Sequence, residues 1–346
     1  MIGRWRTLWN PGAYQGKGRR GVYFEGWYFK LVDRLGEERW ALIPGIFRHP
    51  DPDRAHAFLQ VLDGKTSRVV YHRYPIKDFQ ASSNTFNLRV GKSRFHAGGC
   101  RLDVDGQGQR ISGEVRFGKL HPWPVRPLSP GVMGPYAFVP LMQTYHGVLS
   151  LDHTLEGSLT FDGRTVDFTD GRGYLEKDWG STFPRAYVWM QTNHFQQQGV
   201  SLTASVATIP WLRSWFRGFL VGLLVDGELY RFTTYLGSSI RSLKVTDADL
   251  EFIIQGSSRS APGPSYPGYL LTIHAIRRDG GTLSAPEMDG MTPRILESLT
   301  AEIQVHLQAI DPAGQPQKTL YQGTGSCAGL EVAGSVEEIT ESAASD

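Results

Sequence analysis

Residues 173–195, GYLEKDWGSTFPRAYVWMQTNHF, combine acids, a lysine, tryptophans and amides in one short stretch. Side chains alternate between the two faces of an extended backbone, so Glu176 and Asp178 lie on one side of such a strand. Two close carboxyl groups can divide the tasks of acid and base when their surroundings favour different protonation states. The stretch therefore predicts proton-transfer chemistry, and an ordinary charged turn between strands is the alternative interpretation.

The same stretch continues with amides placed among aromatic side chains. Alternation puts five of these side chains on one face, namely Tyr187, Trp189, Gln191, Asn193 and Phe195. A face of this composition is typical of a cavity wall that holds a large apolar ligand with one polar end.

An earlier stretch, YFEGWYFKLVD, places a single acid before a run of aromatic residues. Strand alternation puts Glu25 on one face with Trp27, and Tyr28 on the other face. One interpretation is a carboxylate at the rim of a barrel that is paired with an arginine. The other is a carboxyl group that faces a ligand cavity, where apolar surroundings favour its neutral, proton-donating form.

A third stretch, MGPYAFVPLMQTYHGVLSLDHTLEGSLTF, contributes Tyr145, His146 and His153 as candidates. A lone histidine is more often a hydrogen-bonded structural residue, and two histidines beside a tyrosine favour a functional site only modestly. The chain has no nucleophile elbow, phosphate-binding loop, dinucleotide fingerprint or zinc-protease helix motif. Hydrolase, kinase and nicotinamide-dependent functions therefore find no support in the sequence.

The elements that must position these residues are predicted to be strands. Forty glycines and twenty prolines separate short runs rich in aromatic and β-branched residues, which favours an all-β fold. Three Asp-Gly pairs predict tight hairpin turns, at Asp63, Asp162 and Asp226. Short helices are predicted only at residues 210–219 and 293–299.

A boundary is expected near residue 180, where the strand and turn pattern restarts. The predicted domains are 1–180 and 181–335, and residues 336–346 form a frayed acidic tail.

Charge and apolar runs narrow the choice of partners. The chain carries 36 Lys and Arg against 34 Asp and Glu, without a basic run that could follow a nucleic-acid backbone. No apolar run has the length of a signal sequence or a transmembrane helix, so we expect a cytoplasmic protein. The two cysteines are far apart and predict neither a disulfide nor a zinc site.

The segment TIPWLRSWFRGFLVGLLV carries aromatic residues beside arginines. This composition predicts a peripheral membrane contact through Trp211, Trp215 and Phe216. A bent strand whose aromatic side chains enter the core is the alternative.

Taken in order, the motifs FEGWYFK, GPYAFVPLMQTYHGVLSLDHTLEGSL, YLEKDWGSTFPRAYVWMQTNHF, TPRILESL and GTGSCAGLEVAG resemble the tocopherol cyclase family, from about residue 21 to residue 334. That family is similar to the carotenoid hydratase group represented by hydroxyneurosporene synthase. The resemblance implies two lipocalin-like antiparallel β-barrel domains packed together. The start of the chain shows no transit peptide, which fits a bacterial relative.

The resemblance also implies an isomerase that protonates a prenyl alkene and closes a chroman ring on a prenylated hydroquinone, without a cofactor or a metal. Plant members have Asn where this chain has Asp178, whereas Glu176 and Lys177 match the family. The expected catalytic residues are Glu176, Asp178, Glu25 and His146. The expected substrate contacts are Trp27, Tyr28, Tyr145, His153, Lys177, Trp179, Trp189, Gln191 and Asn193.

Two alternatives remain open at this stage. Water instead of the internal phenol could capture the cation, which would make the protein an alkene hydratase. The barrel could also bind isoprenoids or other lipids without catalysis, as barrels of this kind commonly do.

Overall fold

The computed structural model describes residues 7–140, 142–211, 214–263 and 266–340. Their regular structure is almost entirely antiparallel strand, so the predicted all-β class is confirmed. The two predicted helices are wrong, because residues 210–219 and 293–299 are strand wherever they are described. Aromatic and β-branched side chains in these segments pack on paired strands, and this tertiary pairing overrides their apparent helical spacing.

The first large sheet contains strands from the N-terminal half of the chain. They are β1 (Tyr23–Val32), β2 (Arg39–Arg48), β3 (His56–Asp63), β4 (Val69–Tyr74), β5 (Phe79–Ala81), β6 (Asn87–Val90), β7 (Ser93–His96), β8 (Gly99–Gly106), β9 (Gln109–Phe117), β12 (Thr144–Phe161), β13 (Arg164–Asp167) and β14 (Arg172–Gly180). Their order is β4-β3-β2-β1-β14-β12-β9-β8-β7-β6-β5, and β13 pairs with β12. Between β9 and β12, a small separate hairpin pairs β10 (Val125–Arg126) with β11 (Ser129–Pro130).

The first sheet curls until distant strands touch. Strands β1 and β7 are five steps apart in the sheet, which corresponds to about 24 Å on a flat sheet at about 4.8 Å per step. The ring of Phe29 in β1 nevertheless lies only 5.2 Å from that of Phe95 in β7, and 6.0 Å from that of Phe117 in β9. Phe29 therefore marks the inner face of the curled sheet, and alternation places Tyr28 on its outer face.

The second large sheet is built from the rest of the chain. Its strands are β15 (Tyr187–Thr192), β16 (His194–Phe195), β17 (Ser201–Trp211), β18 (Ser214–Val225), β19 (Glu228–Thr233), β20 (Ser239–Val245), β21 (Asp249–Ser257), β22 (Gly268–Ile276), β23 (Gly281–Glu287), β24 (Gly290–Ile310) and β25 (Pro316–Ala333). The main order is β19-β18-β17-β15-β25-β24-β22-β21-β20, while β16 pairs with β25 and β23 with β24. Apolar side chains from most of these strands form one buried cluster.

Two of the three predicted tight turns are present. Asp162 and Gly163 link β12 to β13 with φ values of 50° and 88°, and Asp226 and Gly227 link β18 to β19 with φ values of 51° and 78°. The third turn is longer than predicted. Strand β3 ends at Asp63, which instead accepts a hydrogen bond from the backbone N–H of Lys65 at 2.8 Å.

The chain divides into two compact units. Unit 1 extends to Phe183 and also includes Gly281–Ile295, and unit 2 contains Pro184–Gly280 and the described residues from Leu296 onward. The first division lies three residues from the predicted boundary at 180, whereas 281–295 were assigned by sequence to the second domain.

A buried glutamine explains why residues 281–295 belong to unit 1. The amide of Gln60 in β3 donates to the carbonyl of Ser284 at 2.9 Å and accepts from its N–H at 2.8 Å. Met291 packs on the cluster of Phe24 and Phe58. Phe24 and Tyr28 are an even number of positions apart in β1, so both side chains lie on the outer face of the first sheet. The contact of Met291 with this cluster therefore covers part of that face.

The predicted membrane segment is only partly described. The side chain of Trp211 lies outside the described residues, Trp215 is 37% exposed and Phe216 is half-buried. The membrane contact therefore stays a prediction. Among the described residues, no helix is long and apolar enough to cross a bilayer.

The predicted frayed tail begins with an ordered element. Residues Val336–Thr340 form a short helix, α1, and Ile339 is fully buried in the apolar cluster of unit 2. Residues 341–346 lie outside the described part of the chain.

Ile339→Ala should lower the free energy of unfolding by about 2 to 4 kcal/mol, because it removes a buried aliphatic side chain from a packed core. Chemical denaturation of the whole chain measures this. Glu337→Ala, an exposed change in the same helix, should stay within about 0.5 kcal/mol. Equal, small effects of both changes would show that α1 adds no packing energy.

Candidate functional site

Three adjacent strands bring most of the predicted site residues together. In the register of β1 with β14, Tyr28 pairs with Glu176 and Trp27 pairs with Lys177. In the register of β12 with β14, His146 pairs with Asp178. Directly paired residues share a face of the sheet. The candidates are therefore divided between the outer and the inner face of the curled sheet.

The outer-face cluster comprises Tyr28, His146, Tyr174, Glu176 and Asp178. The Nδ1 atom of His146 lies 2.9 Å from Oδ1 of Asp178, and its Nε2 atom lies 3.6 Å from Oε2 of Glu176. The hydroxyl of Tyr174 donates to the same Glu176 oxygen at 2.5 Å. One imidazole thus stands between two carboxylates on the face where the sequence predicts them.

The charges of the cluster determine the state of its histidine. Burial would lower the pKa of His146, but the negative charges of Asp178 and Glu176 outweigh burial and raise its pKa to about 9. The ring is therefore a cation at neutral pH. The side chains of His146 and Glu176 are 15% and 5% exposed, whereas that of Asp178 is 25% exposed. Asp178 is thus the most accessible charge of the three.

The same three side chains have the donor types of a cation site. His146, Glu176 and Asp178 can each offer one atom, and these atoms lie within 4.8 Å of one another. Both ring nitrogens of His146, however, are directed at carboxylate oxygens. The imidazolium already occupies the position of a counter-cation, which favours proton transfer over metal binding at this cluster.

The inner face carries a buried ion pair. Lys177 and Glu25 are both fully buried, and Nζ lies 2.6 Å from Oε1. The ammonium also donates to the backbone carbonyls of Pro11 and Ala13, at 2.9 and 2.5 Å. Burial lowers the pKa of Lys177, and the charge of Glu25 opposes this shift. Three oxygens thus match the three donors of the ammonium group.

Aromatic rings enclose the ammonium group of Lys177. Its Nζ lies 4.7 Å from the ring centre of Trp27 and 4.6 Å from that of Trp179. The indole N–H of Trp27 donates to the carbonyl of Gly12 at 3.0 Å, and the ring of Tyr145 stacks on Trp179 at 5.7 Å. These predicted substrate contacts therefore face the inside of the sheet and surround a protein cation.

The carboxylate of Glu25 is equally saturated. The backbone N–H of Gln15 donates to both of its oxygens, at 2.9 and 3.0 Å. The hydroxyl of Tyr23 donates to Oε2 at 2.5 Å, and burial raises the pKa of this tyrosine well above its usual range. The sequence predicted either an arginine partner at a barrel rim or a ligand cavity for Glu25. In the structure Glu25 instead lies on a central strand and pairs with Lys177.

His153 also lies on the inner face, apart from His146. Its Nδ1 atom is 3.0 Å from the hydroxyl of Ser150, which itself donates to the carbonyl of Asp152, so Nδ1 carries the proton. Burial lowers the pKa of His153 to about 3. The ring is therefore neutral and packs 4.7 Å from that of Phe117.

The remaining predicted contacts belong to unit 2. Trp189 and Gln191 are buried in β15, and Asn193 lies between β15 and β16. The prediction that Phe195 shares their face is wrong, because Phe195 packs in the apolar cluster with Met190. The strand breaks at Asn193, and simple alternation does not continue across that break.

The sequence did not predict several partners of the site residues, including Tyr23, Ser150, Tyr174 and Gln15. Tyr174 has the same parity as Glu176 and Asp178, so extending the alternation backwards by two residues would have found it. Gln15 acts through its backbone N–H, and no sequence signal marks such a donor.

Lys177→Met should lower the free energy of unfolding by about 3 to 5 kcal/mol, because it leaves the buried charge of Glu25 uncompensated. Combining it with Glu25→Gln should cost less than the sum of the two single changes, with a coupling of at least about 1 kcal/mol. Urea denaturation of the four proteins measures this. Lys65→Met, which removes an exposed lysine from Glu38 and leaves Arg164 paired with that carboxylate, should cost less than about 1 kcal/mol. Strict additivity would contradict a coupled pair.

The contribution of His146 to stability should depend on pH. Its folded-state pKa is about 9 against 6.5 for the ordinary side chain, so its stabilising effect is complete below about pH 6.5. That effect should decline as pH rises to about 9. Denaturation of the parent and of His146→Gln across this range measures the difference, with the exposed His96→Gln as control. A difference that does not change with pH would contradict a charged ring.

Comparison with known proteins gives plant relatives of part of the chain. The chain is 25% identical over 184 residues to "Tocopherol cyclase, chloroplastic" of Zea mays, and this match covers 51% of the chain and 36% of the relative. It is 26% identical over 184 residues to "Probable tocopherol cyclase, chloroplastic" of Oryza sativa subsp. japonica, covering 51% and 37%. The match thus spans just over a third of the length of these relatives.

A solved structure extends the likeness to nearly the whole chain. The crystal structure of CghA with Sch210972 superposes with a TM-score of 0.53 and covers 91% of this chain and 89% of that one. At 12% identity, the similarity establishes a common fold and nothing further.

The family comparison covers more than half of the chain. The model described as tocopherol cyclase-like matches residues 120–334, which include strands β12 and β14 of the outer-face cluster. The chain therefore belongs to the tocopherol cyclase-like family.

Proposed function

We propose that this protein is an acid-initiated cyclase of prenylated hydroquinones or related isoprenoid aromatics. The observation that carries the proposal is the imidazolium of His146, which lies between Glu176 and Asp178 on the outer face of the first sheet. The chain that carries this cluster belongs to the tocopherol cyclase-like family. A histidine between two carboxylates can store a proton and relay it between them. The name of the plant relatives supports this reaction class.

The proposed cycle conserves protons. The imidazolium of His146 passes its proton to one carboxylate of the cluster, and the resulting carboxylic acid transfers that proton to the less substituted carbon of a trisubstituted alkene, which leaves a tertiary cation. The phenolic oxygen of the substrate forms the new C–O bond to that cation. The phenolic proton then returns to the carboxylate, either directly or through His146. Substrate and product have the same composition, and the cluster is regenerated.

Asp178 is the proposed donor because it is the most exposed carboxylate of the cluster and contacts Nδ1 of His146. Glu176 is nearly buried and already accepts a hydrogen bond from Tyr174, which suits a fixed negative charge. A fixed carboxylate stabilises a developing carbocation electrostatically. The ring of Tyr28, which contacts that of Tyr174 at 6.5 Å, adds an aromatic surface on the same face.

The inner-face residues take a supporting role in this proposal. Glu25 has all its oxygens engaged and faces away from the cluster, so we exclude it from proton donation. Trp27 and Trp179 surround Lys177 instead of a substrate cation. Contacts of the substrate with Tyr145, His153, Trp189, Gln191 and Asn193 remain predictions.

The proposed reaction is tested by incubating the protein with phytyl or geranylgeranyl hydroquinone in detergent micelles prepared in deuterated water. Mass spectrometry should find a cyclic product with one carbon-bound deuterium and otherwise unchanged composition. A product heavier by one water would indicate hydration instead. If the protein is folded and binds the quinol but the quinol is recovered unlabelled, the result would contradict catalysis and favour the carrier function.

The proton donor is tested by substitution in the same assay. Asp178→Asn should reduce the rate by about 10²- to 10⁴-fold, the usual contribution of a general acid. Glu156→Gln changes an exposed carboxylate of β12 and should leave the rate unchanged. Full activity of the double variant Glu176→Gln, Asp178→Asn would contradict a role of the outer-face cluster in proton donation.

A further inference from the structure

Unit 1 exposes a contiguous apolar patch around the small β10–β11 hairpin. Leu128 at the hairpin tip is 82% exposed, and Val125 in the same hairpin is 40% exposed. Trp9 is also 40% exposed, and its indole N–H donates to the carbonyl of Pro127 at 3.1 Å. The ring of Trp9 packs against that of Phe138 at 6.0 Å. We call these five residues the hairpin patch.

The patch differs from ordinary scattered surface hydrophobics. Single exposed apolar residues need no explanation, whereas contiguous ones mark interaction surfaces. The indole of Trp9 has its polar N–H bound by the protein, so its remaining exposed surface is apolar. Leu128 stands at a two-residue turn between paired strands, which projects it from the body of the unit. The patch thus presents a tryptophan and an aliphatic tip side by side.

The segments that build the patch have an unusual charge composition. Residues 7–24 contain three Arg and Lys, residues 115–151 also contain three, and neither segment contains any Asp or Glu. In the chain as a whole, acidic and basic residues are nearly equal, at 34 and 36. Arg126 lies in the hairpin itself, and Lys119 lies shortly before it, and both are exposed. The charged residues of the two segments that carry the apolar patch are therefore all cationic.

We infer that the hairpin patch docks unit 1 on the surface of an anionic lipid bilayer. Tryptophan and leucine insert into the interfacial region of a bilayer, where an indole is favoured. Arginine and lysine beside them are attracted to anionic headgroups. Both segments lack Asp and Glu. An anionic bilayer favours this composition because it repels carboxylates, whereas binding to a protein partner does not require it.

This inference goes beyond the proposed function and does not depend on it. An enzyme that acts on prenyl lipids gains from such a surface, because its substrate resides in the bilayer. Docking is nevertheless measured without any substrate, so its failure and the failure of the cyclase assay are separate results. The surface also differs from the segment around Trp215 in unit 2, for which the sequence predicts a membrane contact.

The test is co-sedimentation of the full chain with sucrose-loaded vesicles at low and moderate salt. One set contains phosphatidylcholine alone, and the other contains phosphatidylcholine with 30% phosphatidylglycerol. Binding to the anionic set should exceed binding to the neutral set and should weaken with salt. Leu128→Asp should reduce the partition coefficient by about tenfold, and Arg126→Gln by about fivefold, the effect of one basic residue near the surface.

Matched variants separate the patch from general surface effects. Leu35→Asp changes another exposed leucine, 67% exposed, and should leave binding unchanged. Equal binding of the parent to both vesicle sets, or no binding to either, would overturn the inference. It would equally be overturned if Leu128→Asp bound like the parent while Trp215→Ser lost binding. Circular dichroism confirms that each variant is folded.

Discussion

The buried pair of Lys177 and Glu25 is the interaction on which the rest of the site depends. It joins β14 to β1 across the inner face of the first sheet, and the same two side chains also bind the backbone of the N-terminal segment. Desolvating two charges is costly, and such a pair is tolerated only when its hydrogen bonds are complete. Here both groups are saturated, so the pair specifies one register and one position of the segment.

That register has consequences on the opposite face. A shift by one residue would turn every side chain of β14 over, and would bring Glu176 and Asp178 inside. Lys177 lies between them in the chain, so its burial inward directs both acids outward, toward His146. The structural role of Lys177 and the proposed catalytic role of Glu176 and Asp178 thus fall on alternate residues of one strand. The rings of Trp27 and Trp179 also keep Lys177 directed inward, because they shield its ammonium group from water and hold that group against Glu25.

Much of the site was predictable because strand geometry has a period of two. The alternation places Glu25 with Trp27 and Glu176 with Asp178, and it separates Lys177 from Glu176. The division of Glu25 from the other two acids follows only from the register of β1 with β14. Alternation failed where the strand is interrupted, as at Asn193, since an irregular residue changes the parity of everything after it. The two predicted helices failed for a related reason. Residues 210–219 have apolar spacing compatible with a helix, but the described residues among them are extended because β17 pairs with β18.

The sequence by itself determined the all-β class, two of the three tight turns and the shared face of Glu176 and Asp178, because each depends on residue types at short range. It also determined the family, because the motifs occur in order along the chain. Only the tertiary structure decided which partner each charge has. His146 is 32 positions from Asp178, Glu25 is far from Lys177 in the chain, and Gln15 contributes only a backbone N–H. Such contacts depend on which strands become neighbours in a curled sheet. That arrangement is fixed by the packing of the whole unit, and no local pattern encodes it.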